Sequence, residues 1–126
     1  MGDRMKFFIF GYNDKDIDFL TNELSSFYKI DVFKVNSINE INKVCIENKD
    51  WIINCSNNYS ILCNLADTII LLDYSKNNLF KKNVSISSPD IIKLLQKHIR
   101  KGIILRNRGQ LRKYLKSVYE GDRYNF

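Results

Sequence analysis

Met5-Lys-Phe-Phe-Ile-Phe-Gly11 places four consecutive apolar side chains, Phe7 to Phe10, directly before a glycine. The run lacks the in-out alternation of a strand with one wet face. It therefore predicts a strand buried on both sides, the habit of parallel sheets covered by helices above and below. Working outward, Ile17, Leu20, Leu24, Phe27 and Tyr28 recur at helical spacing over 16–28. Asp31-Val-Phe-Lys-Val35 is a second strand candidate. Ser37-Ile-Asn-Glu40 has the form of a capping box and opens a helix to about Asn48. Trp51-Ile-Ile-Asn54 and Asp67 to Leu72 are the third and fourth strands. Ser88-Pro-Asp90 starts another helix, with Ser as cap, Pro in the first turn and Asp at the positive dipole end. Ile91, Leu94, Leu95 and His98 follow at helical spacing, and Gly102 stops that helix. Ile103-Ile-Leu105 is the fifth strand, and Gly109 to Tyr119 the last helix.

Short apolar strands alternating with helices predict an α/β fold: a three-layer αβα sandwich around a five-stranded, mainly parallel sheet, with Met5–Phe10 and Trp51–Asn54 in its interior. The 126 residues suit one domain, 1–126. Ligands of such sheets bind beyond the carboxyl ends of the strands. The positions of interest are therefore 11–16, 54–58, 73–75 and 106–108.

Composition narrows the function classes. Hydrophobic residues make up 44% of the chain, enough for a packed core. No apolar run approaches the roughly 18 residues a membrane span requires, and the first residues lack the apolar region of a secretory signal. Cys45, Cys55 and Cys63 are odd in number, and their spacing fits neither a zinc nor a redox motif. Reduced cysteines acting as small apolar residues in a cytoplasmic protein are the expectation, with no metal, no cofactor and no membrane contact.

Charge is uneven along the chain. Residues 1–90 hold 10 Lys/Arg and 12 Asp/Glu, whereas 91–126 hold 10 and 2. Between Asp90 and Glu120 lie nine basic residues and no carboxylate: Lys93, Lys97, Arg100, Lys101, Arg106, Arg108, Arg112, Lys113 and Lys116. A solvated face normally mixes signs. A basic third with Tyr114 and Tyr119 interleaved suits nucleic acid, and an acidic protein partner fits equally well. His98, the sole histidine, has no Ser or Cys near it in sequence and reads as a helix residue rather than a catalyst.

Several of these stretches together resemble a known family. Asp50-Trp-Ile-Ile-Asn54, Asn58-Tyr-Ser60 and Ala66-Asp-Thr-Ile-Ile-Leu-Leu-Asp73 resemble the middle of the bacterial DNA topology modulation proteins, which are adenylate-kinase-like P-loop proteins. Met5 to Leu24 has the shape of their first strand, loop and helix, and Gly102 to Leu115 that of their last strand and helix. The resemblance implies a P-loop NTPase-like fold, a phosphate loop after the first strand and a magnesium-organising Asp after the third.

The departures fall on the chemistry. A working loop needs Gly-x-x-x-x-Gly-Lys-Ser/Thr, so that bare backbone N–H groups wrap the phosphates and Lys reaches the transferred group. Counting from Gly11, the second Gly position is Asp16, the Lys position Ile17 and the Ser/Thr position Asp18. Asp14, Asp16 and Asp18 are expected to oppose phosphate by repulsion. Asn54 stands at the magnesium-organising position, and an amide attracts a cation less than a carboxylate does. The lid region, 74–87, is short and carries Lys76, Lys81 and Lys82, which lack the planar clamp of the arginines usual there. The expected function is that of a non-catalytic P-loop kinase-like pseudoenzyme, a binding or regulatory module whose basic third, 91–126, meets nucleic acid or an acidic partner. An active nucleotide-binding or phosphotransfer protein with an unconventional loop is the first alternative. A phage- or mobile-element-type interaction protein using the fold as scaffold is the second. A receiver domain is disfavoured by Asn54 and Arg106, and a dinucleotide fold by the single Gly11.

Overall fold

The computed structural model describes residues 5–74 and 89–121. Residues 75–87 of the expected lid region and the Ser88 cap lie outside the described residues. In chain order the elements are β1 (Lys6–Gly11), α1 (Asp14–Tyr28), β2 (Val32–Lys34), α2 (Ile38–Glu47), β3 (Trp51–Asn54), α3 (Tyr59–Leu65), β4 (Thr68–Leu72), α4 (Pro89–Lys97), β5 (Gly102–Leu105) and α5 (Arg108–Tyr119). Every strand pair is parallel, in the order β2-β3-β1-β4-β5. Receiver-like and dinucleotide-binding sheets both set the second strand directly beside the first. Here β3 stands between them, which excludes both arrangements.

β1 lies at the centre, paired with β3 on one side and β4 on the other, as its two-sided apolar run requires. Alternate residues feed opposite cores. Phe8 and Phe10 join Trp51, Ile53, Ile69 and Leu71 under α2, α3 and α4, which contribute Ile41, Val44, Leu62 and Leu95. Phe7 and Ile9 join Ile52, Ile70 and Leu72 under α1 and α5, which contribute Ile17, Leu20, Leu24, Leu111 and Leu115. The domain is thus a three-layer sandwich with two helices on one face and three on the other.

That division follows from the connections. The crossover from β1 runs past β3 to β2, while those from β2, β3 and β4 run the opposite way across the sheet. With right-handed crossovers, opposite directions place helices on opposite faces. The reversal occurs between β1 and β3, so a crevice opens beyond their carboxyl ends, where such sheets bind ligands.

Gly11 closes the end of β1 with φ +151°, a conformation that side-chain-bearing residues avoid. A Cβ there would sit 2.3 Å from the carbonyl oxygen of Leu72. Gly11→Ala is expected to lower stability by about 2 kcal/mol or more through this collision and the strained backbone. Urea denaturation measures it, and an unchanged midpoint would contradict the close packing of β1 on β4.

Candidate functional site

Only Tyr12 and Asn13 separate β1 from α1. The expected phosphate-loop positions Asp16, Ile17 and Asp18 therefore lie inside a helix. Asn13 is its N-cap and accepts from the Asp16 backbone N–H at 3.0 Å. The Tyr12 N–H donates to the Leu72 carbonyl at 3.3 Å. Asp14 and Asp16 occupy the first turn, against the positive end of the helix dipole.

The three acids of this segment face three ways. Asp14 is exposed and lines the crevice. Asp18 pairs with Lys34 at 3.0 Å. Asp16 is buried and turned toward α5, where Arg108 Nε and Nη2 donate to its two oxygens at 3.1 and 3.2 Å and the Tyr74 hydroxyl donates at 2.8 Å. Burial alone would raise the Asp16 carboxyl. The hydrogen bonds from Arg108 and Tyr74, with the charges of Arg108 and Arg112, outweigh it and hold the carboxyl below its usual value. The same contact, added to burial, pushes the Tyr74 hydroxyl upward. Ile17 points into the core beneath α1. A second buried carboxylate, Asp73, takes Arg106 Nη1 at 3.0 Å. Each arginine after β5 thus neutralises an acid set near the carboxyl ends of the central strands.

The crevice itself encloses about 860 Å³. Its walls include Phe10, Gly11 and Tyr12 from the end of β1, Asn36 after β2, Asn54 and Ser56 after β3, Tyr59 of α3, and Asp90 of α4. Asn54, the residue expected at a magnesium-organising position, donates its side-chain amide to the Ile9 carbonyl at 2.9 Å, tying β3 to β1. Tyr59 lies beside Phe10 with ring centroids 5.1 Å apart, and its hydroxyl is anchored on the Ser56 carbonyl at 2.6 Å. α3, which supplies Tyr59, was not expected from sequence. The signal was Tyr59-Ser-Ile-Leu-Cys-Asn-Leu65, too short to display helical periodicity convincingly.

The nine basic candidates do not form one surface. α4 packs on the core beneath α2 and α3, and α5 on the opposite core. Arg106 and Arg108 are engaged by Asp73 and Asp16, and Lys101 Nζ donates to the Ala66 carbonyl at 2.7 Å. Lys93, Lys97 and Arg100 are exposed on one side and Arg112, Lys113 and Lys116 on the other, none in an ion pair among the described residues. The neighbour of α5 is α1, which is rich in Asp, whereas α3, beside α4, carries no charge.

His98 follows the end of α4. Partial burial, then the charges of Lys101 and Lys97, lower its basicity. All three cysteines are free. Burial pushes the Cys63 thiol up to about 11 against the opposing pull of Lys101, which leaves it unreactive near neutrality. Among the described residues no helix is long and apolar enough to cross a membrane. Compared with protein-family models, curated proteins and solved structures, the chain matches none of them.

Arg108→Ala removes two donors from Asp16, so the Asp16 carboxyl should titrate at higher pH in the variant, a shift followed by carboxyl-carbon NMR. The ionised form is favoured on folding. Its stabilisation is complete above the unfolded value near 3.8 and fades as pH falls through the lower folded value. The variant should therefore be less stable than wild type at pH 7, and the gap should close in acid. Identical titration of Asp16 in both proteins would refute the contact.

Proposed function

We propose that this domain is a degenerate, non-catalytic P-loop kinase-like module acting in binding or regulation, and that its partner is a polyanion, nucleic acid in the first instance, met on the α4 side. The non-catalytic half rests on one observation: α1 begins at Asp14, two residues after β1, with its first turn capped by Asn13 and occupied by acids. A loop that wraps phosphate needs several free backbone N–H groups converging on one point. In this turn the Tyr12 and Asp16 N–H groups are spent on Leu72 and Asn13.

Support for the polyanion surface comes from the imbalance around α4. Lys93, Lys97 and Arg100 are exposed beside an uncharged helix, so a partner's negative charges meet no competing carboxylate from α3. The crevice beyond β1 and β3 favours a second reading, a nucleotide-binding protein with an unconventional loop, because it lies where α/β sheets hold ligands.

Calorimetric titration with ATP and magnesium separates the two readings. No saturable binding is expected at millimolar nucleotide, and a low-micromolar dissociation constant would establish the second reading. Ile17→Lys should not restore binding. Its ammonium would enter the core among Leu20, Leu24 and Leu111, and the main result should be lost stability.

Nucleic-acid binding is expected to be weak and steeply salt-dependent. Three cations, two on α4 and Arg100 in the turn after it, correspond to a log–log slope of about −2 to −3 on duplex DNA, with affinity of roughly 10⁻⁴ to 10⁻⁶ M at physiological salt. Fluorescence anisotropy of the triple variant Lys93→Glu, Lys97→Glu, Arg100→Glu should show binding lost, while reversal of Arg112, Lys113 and Lys116 should leave most of it. Equal behaviour of wild type and the α4 variant would remove the polyanion reading.

A further inference from the structure

The crevice beyond β1 and β3 is a built cavity, and the polyanion reading makes no use of it. About 860 Å³ lies within the range of roughly 300–1,000 Å³ typical of small-molecule sites. Its lining combines aromatic faces with a small number of polar groups. Phe10 and Tyr59 form one aromatic wall, with Tyr59 fixed in place by its hydroxyl bond to the Ser56 carbonyl. Tyr12, 43% exposed, stands at the lining with its ring accessible from solvent. Asn36, Asn54 and Ser56 supply neutral polar groups.

The charges lining the cavity have a definite sign. Asp14 and Asp90 both contribute to the wall, are exposed, and have no ion-pair or hydrogen-bond partner for their carboxylates among the described residues. Among the described lining residues the one cation is Lys34, and Asp18 already holds it. Arg106 and Arg108, which follow the edge strand β5, are directed to Asp73 and Asp16 instead. The positive end of α1 would ordinarily attract an anion to this place. Asn13 and the acids of the first turn already satisfy it.

We infer that this cavity binds a small organic cation with a planar aromatic body, its charge set between Asp14 and Asp90 and its ring against Tyr12 and Tyr59. A cation here gains two unpaired carboxylates and the negative faces of two aromatic rings, both reached without displacing an existing ion pair. A planar body matches the aromatic wall, where offset stacking adds to burial of apolar area. An anion of the same shape would face both carboxylates and find no free counter-charge among the described lining residues.

Three indoles of equal ring and different charge provide the test: tryptamine, tryptophol and indole-3-acetate. Each is titrated into the full chain at pH 7 and low salt, with binding followed by amide chemical shifts. Tryptamine should bind about tenfold more tightly than tryptophol, a difference of about 1.4 kcal/mol, and indole-3-acetate should bind least. Shifts should centre on Tyr12, Asn54 and Tyr59, and the preference should shrink as salt screens the exposed carboxylates. In the double variant Asp14→Asn, Asp90→Asn the tenfold preference should vanish while tryptophol affinity is retained. Both residues are exposed, and an unchanged amide spectrum of the free variant confirms that it folds. Equal binding of tryptamine and tryptophol by wild type would leave a cavity without charge selectivity and overturn the cation assignment. Tighter binding of indole-3-acetate, a preference that survives the double variant, shifts centred elsewhere, or no binding of any of the three would overturn it as well.

Discussion

A strand that carries large apolar side chains on both faces must be roofed twice, and the architecture of this domain follows from β1 having that character. Phe7 and Ile9 point one way, Phe8 and Phe10 the other, and all four are buried. Each such burial contributes roughly 1.5–3 kcal/mol relative to exposure. Placing β1 at an edge would forfeit part of that on either face, so it sits between β3 and β4. Once it is central, the chain leaves it in one direction toward β2 and returns past it toward β4. The crevice between β1 and β3 is the geometric residue of that reversal, and it exists whatever residues later come to line it.

What lines it is governed by how abruptly β1 passes into α1. Gly11 lets the backbone run against the Leu72 carbonyl, where no side chain fits. Tyr12 and Asn13 then complete the turn, and the helix starts. A turn this short sends the Tyr12 N–H to the neighbouring strand and the Asp16 N–H to the Asn13 cap. It also rotates Asp16 to the far side, where Arg108 from α5 and Tyr74 after β4 receive it. Asp16, at the position where a phosphate loop would need a glycine, links the first helix to the last. Such a link joins α1 and α5, which already share a core, and fixes the position of the Arg108 guanidinium away from the crevice.

The fold was legible in the sequence because β1, β3, β4 and β5 each carry an uninterrupted apolar run. Trp51-Ile-Ile-Asn54 was placed to the residue, and the Ser37 capping box forms as its spacing requires, with Ser37 Oγ accepting from the Glu40 N–H at 3.2 Å and Glu40 reaching back to the Ser37 N–H at 3.1 Å. Boundaries that depend on turns were less legible. α1 begins at Asp14 rather than near residue 16, because Asn13 caps it, and α4 ends at Lys97, ahead of Gly102. α3 escaped notice because seven residues hold too few turns for a period to show. The site was legible only in part. Asn54 and Gly11 stand where a parallel sheet puts its ligand-facing residues, and both line the crevice. The partner of Asp16 was not legible at all, since Arg108 lies 92 residues away in sequence. Nor did adjacency in sequence reveal that the basic third divides.

That division bears on how charge along a chain becomes charge on a surface. In 91–126 the basic residues form one block, and a block invites the picture of one patch. A strand between two helices defeats it. α4 precedes β5 and returns over one face, whereas α5 follows β5 and covers the other, so the two basic helices are held apart by the thickness of the sheet. The arginines between them fall at the carboxyl end of β5, level with Asp73 and Asp16, and are drawn to those buried carboxylates, which have more to lose from isolation than an exposed guanidinium has to gain from solvent. An interior demand for counter-charge thus takes two of the nine cations, and topology divides most of the others. What remains concentrated is the α4 side, because its neighbouring helix α3 brings no acids, while α5 lies against the acid-bearing α1.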